Sequence, residues 1–380
     1  MKILHISGID LTLLKFRLDL IEAQKQHFSA DIHLACADTG YTQELKNKGY
    51  NVLSLDISRS NPLAFKNIMS IIKLCRYLRK HKIDVVHSHT PIGGFVGRVA
   101  AFFSRVKYVL YTTGGFYFNE NSSFIKNLLF INAERLLSRV TDIIFSVNNE
   151  DIETAKKLKI KAKHPLVYTG GAGVDSTIFD PNNPQLINEG VKIKESLRIT
   201  DNHKVVLFIG RLVAEKGVND FLKVAEKLQT KENTYFVIVG QGELDDESQS
   251  ILDSNTALKK RVKLLGMRDD IPQILTIANV FLFPSYREGM PVSSLEAMAM
   301  RVPVVAYNIR GCREEIMDGK NGFIGPLKNT DFLYDKVKQI LESDALQENL
   351  GNNAREFVQK NFERTMIVQR QITAYKKLLN

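Results

Sequence analysis

The sequence contains no tryptophan and only three cysteines among its 380 residues. The cysteines (Cys36, Cys75 and Cys312) lie far apart, which excludes a disulfide framework and a cysteine-based zinc site. So few cysteines fit a reducing compartment, the cytoplasm. Because Cys36 and Cys75 have apolar neighbours, we predict that both are small core residues.

Long hydrophobic runs are also missing. The longest uncharged stretch, Ile271–Tyr286, is interrupted by prolines and is shorter than the ~20 apolar residues that a membrane span needs. The N-terminal segment MKILHISGIDLTLLKF has a short apolar core and no small-residue cleavage site. We therefore expect neither a transmembrane helix nor a signal peptide.

Acidic residues are scarce in the first half of the chain. Up to Pro184 there are 24 Lys+Arg against 16 Asp+Glu (+8), and the remainder has 28 against 26 (+2), which gives the net charge of +10. A basic half favours an anionic partner, such as nucleic acid, an acidic membrane surface or a phosphorylated substrate. A merely basic soluble surface is the alternative.

Short β-branched runs alternate with longer helical stretches along the chain. The runs that we interpret as strands are 2–6, 31–37, 51–55, 83–87, 107–112, 141–147, 165–168, 204–209, 235–239, 262–265, 280–283 and 303–306. This alternation predicts an α/β fold with parallel sheets that are buried on both faces. The pattern lapses between Phe179 and His203 and then resumes, so we predict two Rossmann-like domains. Their expected bounds are 1–180 plus about 363–380, and 181–362, with the last helix crossing back to the first domain.

Residues suited to a diphosphate follow the strand at 204–209. Gly210-Arg211-Leu212-Val213-Ala214-Glu215-Lys216-Gly217 combines glycines with two cations beside a predicted helix start. Backbone amides at a helix start and nearby Arg and Lys side chains bind phosphate oxygens. A solvated surface loop is the alternative for this segment alone. The Gly240-Gln241-Gly242 turn after the next strand is weaker evidence, because any tight βα turn can use glycines.

Two carboxylates follow the strand at 280–283. Glu288 precedes a glycine–proline turn, and Glu296 lies eight positions later on the predicted helix. The first amides of that helix add affinity for an anion. We interpret the two carboxylates as groups that could hold the hydroxyls of a sugar and of a ribose, although Glu296 alone could lie on a solvated helix face.

Together these segments resemble the donor domain of the retaining glycosyltransferases of family 4, which have the GT-B fold. The matching patterns are G-R-L-x-x-x-K-G at 210–217, V-G-x-G at 239–242, P-S-x-x-E-G-x-P at 284–291, E-A-M-A at 296–299, D-V-V-H-x-H-T at 84–90, G-V-D at 173–175 and G-x-x-E-x-I…N-G at 311–322. The resemblance extends from about residue 1 to 362, and the first half looks most like transferases that build capsule, exopolysaccharide or other lipid-linked glycans. It implies two Rossmann-like domains whose parallel sheets face a central cleft.

The resemblance also implies roles for individual residues. Arg211 and Lys216 would bind the diphosphate of the nucleotide sugar and act in catalysis together with Glu288, which orients the transferred sugar. Glu296 would bind the ribose, and the turn at 261–266 would lie near the nucleobase. The remaining donor-side positions are Gly8, Gly210, Gly240, Gly266, Gly289, Met290, Pro291 and Val292. The acceptor and sugar side would include His89, Gly114 and Gly115, although a structural histidine is the simpler interpretation of His89.

Two departures from the family pattern bear on the substrate. The first loop has Ser7-Gly8-Ile9-Asp10 where the family often has paired glycines, so phosphate contact there is in doubt. Gly114 stands where the family has a histidine thought to lie against the C6 hydroxyl of the sugar. We hypothesise a 6-deoxy donor, an N-acetylated hexosamine carried by UDP; replacement of the histidine by another side chain or a water is the alternative. The chain has no Asp-x-Asp, so no metal cofactor is expected.

Three surfaces are candidates for membrane contact. The helix predicted at 66–82 has Ile68, Ile71, Ile72, Cys75 and Leu78 on one face and Lys66, Lys73, Arg76 and Lys80 on the other. We interpret it as a core-packed helix with a solvated basic face. The apolar stretches Phe116–Phe118 and Phe124–Ile131 are stronger membrane candidates.

The function predicted from these features is sugar transfer from a nucleotide diphosphate donor to a lipid-linked acceptor, without a metal. We expect such an enzyme in the bacterial cytoplasm, peripheral on the inner face of the cell membrane. A GT-B sugar-nucleotide epimerase and a non-catalytic sugar-nucleotide-binding protein are the alternatives. A nucleic-acid binder is disfavoured because 66–82 offers only one aromatic residue between its basic positions. A dehydrogenase is excluded because Gly-x-Gly-x-x-Gly is missing after the first strand.

Overall fold

The computed structural model describes residues 1–58, 61–62, 64–116, 118, 124–228 and 233–379. The chain folds into two compact units, Met1–Ala172 with Thr365–Asn380, and Gly173–Arg364. The unit boundary at 172–173 lies somewhat before the position near 180 that the sequence indicated, at the start of the G-V-D segment. All three cysteines are buried.

The first unit contains a seven-stranded parallel sheet in the order β3-β2-β1-β4-β5-β6-β7. Its strands are β1 (Lys2–Ile6), β2 (Asp31–Cys36), β3 (Asn51–Ser54), β4 (Val85–His89), β5 (Tyr108–Thr113), β6 (Ile143–Ser146) and β7 (Val167–Tyr168). Its helices, apart from the C-terminal one, are α1 (Asp10–Phe16), α2 (Leu18–Phe28), α3 (Thr42–Asn47), α4 (Phe65–His81), α5 (Pro91–Ser104), α6 (Phe124–Ser138) and α7 (Asn149–Lys157). The central strands are buried along almost their whole length, as expected where helices cover both faces of a parallel sheet.

The second unit contains a six-stranded parallel sheet in the order β10-β9-β8-β11-β12-β13. Its strands are β8 (Lys204–Ile209), β9 (Thr234–Val239), β10 (Val262–Leu264), β11 (Val280–Phe283), β12 (Val304–Tyr307) and β13 (Gly322–Gly325). Its helices are α8 (Pro184–Ser196), α9 (Val218–Lys227), α10 (Asp246–Ser254), α11 (Thr256–Arg261), α12 (Ile271–Leu275), α13 (Val292–Ala299), α14 (Cys312–Glu315), α15 (Thr330–Leu341) and α16 (Asp344–Asn361), with a 3₁₀ turn at Ala214–Lys216. Two Rossmann-like α/β units confirm the predicted fold class.

The C-terminal helix α17 (Arg364–Leu379) belongs to the first unit from Thr365 onward. Its Tyr375 hydroxyl lies 2.7 Å from His87 Nδ1, and its Arg370 guanidinium donates to the carbonyl of Thr169 at 2.9 Å. The assignment of residues 365–380 to the first unit confirms the predicted return of the last helix, which follows a break at residues 362–363. Among the helices of the described residues, none is both long enough and apolar enough to cross a bilayer.

Helix α4 corrects the predicted packing of 66–82. Its buried residues are Asn67, Ser70, Leu74, Cys75 and Leu78, whereas the predicted core residues Ile68 and Ile72 are 47% and 39% exposed. Asn67 explains the rotation, because its amide donates to the carbonyls of Ser58, Asn61 and Pro62 and its carbonyl accepts from the Ser58 amide. Fixing this polar residue inward places the isoleucines at the surface.

Candidate functional site

The order of the strands reverses at the centre of each sheet. In the second unit β8 lies between β9 and β11, so the connections that leave β8 and β11 diverge and open a crevice outside their carboxyl ends. The predicted segment Gly210–Lys216 follows β8, and Pro284–Glu288 follows β11. The two most specific motifs therefore meet at the position where open parallel sheets bind ligands.

Glycines let the backbones of these loops come together. Gly217 has φ +73°, and a Cβ there would lie 1.9 Å from the carbonyl oxygen of Pro284. Gly240 has φ +155°, and a Cβ there would lie 1.7 Å from the carbonyl oxygen of Gly210. Only a residue without a side chain fits either position. The two glycines hold the β8 loop between the loops that follow β9 and β11.

Lys216 and Glu288 form a half-buried ion pair across this crevice. The Lys216 ammonium lies 2.5 Å from Glu288 Oε1, and the two side chains are 19% and 11% exposed. The Ser285 hydroxyl donates to the same carboxylate oxygen at 2.7 Å. The sequence motif therefore folds into one hydrogen-bonded cluster that places a cation and an anion side by side.

Arg211 contributes a second cation at the carboxyl end of β8. Its side chain is exposed, and no residue in the described part of the chain pairs with it. Its charge is therefore available to an anionic ligand rather than committed to the fold.

The helix start at α13 forms the other side of the crevice. Gly289 and Met290 are half-buried in the turn, Pro291 is the N-cap residue and Val292 begins the helix. The first amides of an α-helix have no carbonyl partner within the helix. Glu296 lies half-buried one turn further along.

Two glycines outside this turn complete the edge of the crevice. A Cβ at Gly311 would lie 2.9 Å from the Gly289 carbonyl oxygen, so the β12–α14 loop supports the turn from behind. Gly266 follows β10, and its carbonyl accepts from the Gly240 amide at 2.9 Å. These contacts place the predicted donor-side residues of the second unit on one continuous set of loops.

The first unit has its own reversal point between β1 and β4. The Gly8 amide after β1 donates to the hydroxyl of Thr90 after β4 at 3.1 Å. Thr90 has φ +64°, a conformation that a β-branched residue rarely adopts. Strained residues of this kind concentrate at functional sites, and this one lies between His89 and the start of α5.

Three buried histidines line the same edge of this sheet. His5 Nε2 donates to the side-chain carbonyl of Gln24 at 2.7 Å, so Nδ1 of the neutral ring accepts from His89 Nε2 at 2.9 Å. His87 bonds Thr112 and the Tyr375 hydroxyl, both at 2.7 Å. Burial lowers the pKa of His5 to about 4 and the pKa values of His87 and His89 well below the usual value, so all three rings are neutral at pH 7.

Metal binding by the three histidines would require their hydrogen bonds to break. One nitrogen of each ring lies within 4.8 Å of the others, which is close enough to surround an ion. However, five of the six ring nitrogens already have a hydrogen-bond partner, and among the described residues only His89 Nδ1 has none. The geometry favours a structural network that ends at an unpaired acceptor on His89.

Gly114 and Gly115 follow β5, next to β4. Gly114 is exposed, and a Cβ there would meet no atom within 4 Å. The predicted membrane contact at 116–118 is wrong for Phe116 and Phe118, which are buried and stack on each other with ring centroids 4.9 Å apart. Tyr117 lies outside the described residues.

Several residues of these edges were not predicted from sequence. Ser285 binds Glu288, and the serine of the P-S-x-x-E motif is the one signal that could have suggested it. His5 and Gln24 support His89 from other elements, and Glu315 contacts Ser294 on α13. Long-range contacts of this kind leave no local pattern in a sequence.

Two known protein families match this chain. Residues 173–357 match the family described as glycosyl transferases group 1. Residues 13–148 match the family described as glycosyl transferase 4-like. The first match covers the second unit almost completely, and the other lies within the first unit.

Individual proteins match over most of the chain. A UDP-Gal:alpha-D-GlcNAc-diphosphoundecaprenol alpha-1,3-galactosyltransferase of Escherichia coli is 30% identical over 320 residues, which is 83% of this chain and 81% of that protein. An N,N'-diacetylbacillosaminyl-diphospho-undecaprenol alpha-1,3-N-acetylgalactosaminyltransferase of Campylobacter jejuni is 28% identical across 100% of this chain and 99% of its own. Among solved structures, Anabaena HepE in complex with UDP and glucose has a TM-score of 0.80 at 20% identity, covering 99% of this chain and 100% of that one.

Proposed function

This chain belongs to the group 1 glycosyltransferase family, and on that premise we propose that it transfers a sugar, with retention of anomeric configuration, from a UDP-sugar to a lipid-linked diphosphate acceptor. The observation that carries the proposal is the Lys216–Glu288 pair with Arg211 at the strand-reversal point of the second unit. The diphosphoundecaprenol acceptors named for the two bacterial relatives support this class of acceptor. The pathway is then assembly of capsule or another surface polysaccharide.

The proposed reaction breaks the bond between the anomeric carbon and the diphosphate oxygen. Negative charge develops on the leaving diphosphate, where Arg211, Lys216 and the first amides of α13 stabilise it. The acceptor hydroxyl attacks from the same face and gives its proton to the departing phosphate oxygen. Glu288 positions the sugar, and Glu296 binds the ribose. The two side-chain cations and the absence of Asp-x-Asp support a reaction without a metal.

In this proposal, residues of the first unit are assigned to binding the acceptor and the sugar. The resemblance to family 4 assigns Gly8 to the diphosphate, and His89, Gly114 and Gly115 to the acceptor and the transferred sugar. The unpaired Nδ1 of His89 supports a positioning role, because a buried acceptor without a partner is stabilised by any donor that reaches it. Gly210, Gly240, Gly266 and the 289–292 turn hold the nucleotide in the second unit.

We propose that the sugar transferred from the donor is a 6-deoxy sugar, and more specifically a 6-deoxy N-acetylated hexosamine. Glycine at position 114 has no side chain that could bond a 6-hydroxyl, and an added Cβ there would meet no atom within 4 Å. A buried hydroxyl without a partner costs about 1–3 kcal/mol, whereas a methyl group at C6 costs nothing comparable.

Transfer assays with matched donors test the function and this specificity together. We expect acceptor-dependent release of UDP that persists in EDTA, with kcat/KM about tenfold higher for the 6-deoxy donor than for its 6-hydroxy counterpart. Gly114→His should reverse that preference, since a Cβ there meets no atom within 4 Å and the imidazole supplies a polar partner for the 6-hydroxyl. Preference of the native enzyme for the 6-hydroxy donor would refute the sugar assignment. Conversion or binding of the donor without transfer to an acceptor would favour the epimerase or the binding protein instead.

We propose an anionic membrane surface as a partner of α4, α5 and α6, which we call the α4–α6 layer. Apart from the buried Arg98 and its partner Glu134, these helices carry seven Lys and Arg and no acid, and α5 packs between the other two. Their exposed large apolar residues are Phe65, Ile68, Met69, Ile72, Phe102, Phe103, Phe124, Ile125, Leu128, Leu129 and Leu136. An apolar surface interspersed with cations is typical of helices that lie in a membrane interface. A lipid-linked acceptor resides in the membrane, so binding to the membrane surface would bring the enzyme to its acceptor.

A vesicle-binding assay tests whether the α4–α6 layer binds an anionic membrane. We expect binding to phosphatidylglycerol vesicles that salt weakens, and little binding to phosphatidylcholine vesicles. Arg76→Glu with Lys80→Glu should weaken binding at least tenfold, since each cation near an anionic surface contributes about 1 kcal/mol. Lys259→Glu with Lys260→Glu, in the second unit, changes the net charge equally and serves as the control. Equal weakening by both pairs would mean that net charge rather than the layer determines binding.

A further inference from the structure

Glu315, at the end of α14, reaches the first turn of α13. Its Oε2 contacts the hydroxyl of Ser294 in a short hydrogen bond. The same hydroxyl donates to the carbonyl oxygen of Pro291 at 2.9 Å. Ser294 and Glu315 are both 0% exposed. One serine hydroxyl thus lies between a backbone carbonyl and a carboxyl group, with no access to water.

The number of protons determines how this contact can form. A serine hydroxyl has a single hydrogen, but the Ser294 oxygen lies within hydrogen-bonding distance of both the Pro291 carbonyl and the Glu315 carboxyl, so it can donate to only one of them. An ionised carboxylate has no hydrogen to donate, so one of the two contacts of the serine oxygen would then bring two acceptors together. A protonated carboxyl supplies the missing hydrogen and satisfies both contacts.

The surroundings of Glu315 also favour the neutral acid. Its Oε1 has no hydrogen-bond partner among the described residues, which would be costly for a buried charge. Burial raises the pKa of Glu315 well above its usual value and outweighs the lowering by the Ser294 hydrogen bond, and the nearby carboxylates Glu288 and Glu314 raise the pKa further. Burial also raises the pKa of the adjacent Cys312 thiol, an effect that the charges of Lys216 and Arg313 oppose.

We propose that Glu315 is a positioning residue, a neutral acid that donates its proton to Ser294 and so fixes the start of α13 without adding negative charge there. The functional part rests on the diphosphate site proposed above. A bonded Ser294 holds the Pro291–Ser294 turn and its amides in place. A neutral Glu315 adds no second negative charge beside Glu288, the carboxylate that pairs with Lys216.

The pH dependence of unfolding tests the protonation state without reference to catalysis. An acid whose pKa is raised above the unfolded value of 4.5 holds its proton in the fold after the unfolded chain has lost it. Stability therefore falls as pH rises from 4.5 to the folded pKa, tenfold in the unfolding equilibrium constant per pH unit. Glu315→Gln removes this dependence, so the native protein should lose stability relative to the variant between pH 5 and 8. A difference that is constant or grows in favour of the native protein would overturn the proposal.

Affinity for UDP, measured by calorimetry, tests the positioning role. Glu315→Gln keeps a donor for Ser294 and should bind UDP within twofold of the native protein. Glu315→Leu and Ser294→Ala remove the bond and should weaken binding about tenfold at temperatures where both remain folded. Unchanged affinity in Glu315→Leu would refute positioning. If the native protein fails to bind UDP, the proposed function is wrong, while the pH profile still decides whether Glu315 is neutral.

Discussion

Replacing Arg211 by alanine should lower kcat/KM for sugar transfer by ~10²–10³-fold and leave the melting temperature unchanged. The guanidinium is exposed and pairs with no described residue, so its removal takes a charge from the crevice and no contact from the fold. Lys216→Ala should cause a loss of similar size. It should also lower the melting temperature, because Glu288 is only 11% exposed and loses its partner. Steady-state kinetics and thermal unfolding of both variants measure these effects.

Lys194 provides a control that is matched in burial. This residue of α8 is 21% exposed, close to the 19% exposure of Lys216, and it pairs at 3.1 Å with Asp201, which is 97% exposed. Lys194→Ala removes an equally buried lysine and its ion pair away from the crevice, so kcat/KM should stay near the native value. Native rates in Arg211→Ala and Lys216→Ala would show that the β8 loop does not bind the diphosphate.

Sequence periodicity predicted the strands well where they are buried and β-branched. The predicted runs 2–6, 204–209 and 280–283 coincide with β1, β8 and β11. Strand β13 was missed because its sequence is Gly-Phe-Ile-Gly, and glycines at both ends are typical of a turn. A Cβ at Gly322 would lie 2.5 Å from the Val304 carbonyl oxygen, so close pairing with β12 requires the glycine that weakens the strand pattern.

Helix α4 shows a limit of amphipathic patterns. The isoleucines at 68 and 72 share a face by spacing, but the fold buries Asn67 and Ser70 in their place. Asn67 is satisfied by the backbone of residues 58–62, a contact that depends on a loop and not on the helix. Hydrophobicity alone cannot predict which face is buried when a polar residue is held inward by hydrogen bonds.

The motifs predicted the residues of the crevice but not their pairing. Sequence placed Lys216 and Glu288 in separate loops with separate roles, and the fold joins them in one ion pair. Ser294 and Glu315 lie 21 positions apart in the sequence, and their contact depends on how α14 packs behind α13. Such pairs follow from the order of strands in the sheet, which the local sequence does not encode.

Arg98→Met should destabilise the protein by about 3–5 kcal/mol, because it leaves a largely buried carboxylate without its partner. Arg98 is 0% exposed and binds both carboxylate oxygens of Glu134 at 2.9 Å, joining α5 to α6. Its Nε donates to the Gly94 carbonyl at 2.9 Å, and its guanidinium lies 3.9 Å from the Tyr111 ring centroid. Urea unfolding at pH 7 measures the loss.

The double variant Arg98→Met with Glu134→Leu separates the charge from the packing. Replacing both partners by apolar residues removes the unpaired carboxylate, so most of the lost stability should return. Lys156→Met breaks the exposed pair with Glu153, in which the side chains are 65% and 61% exposed, and should change stability by less than about 0.5 kcal/mol. A loss in the double variant as large as in Arg98→Met would assign the effect to the Tyr111 and Gly94 contacts. In that case Arg98 holds α5, and with it Thr90 and His89, through packing rather than through its charge.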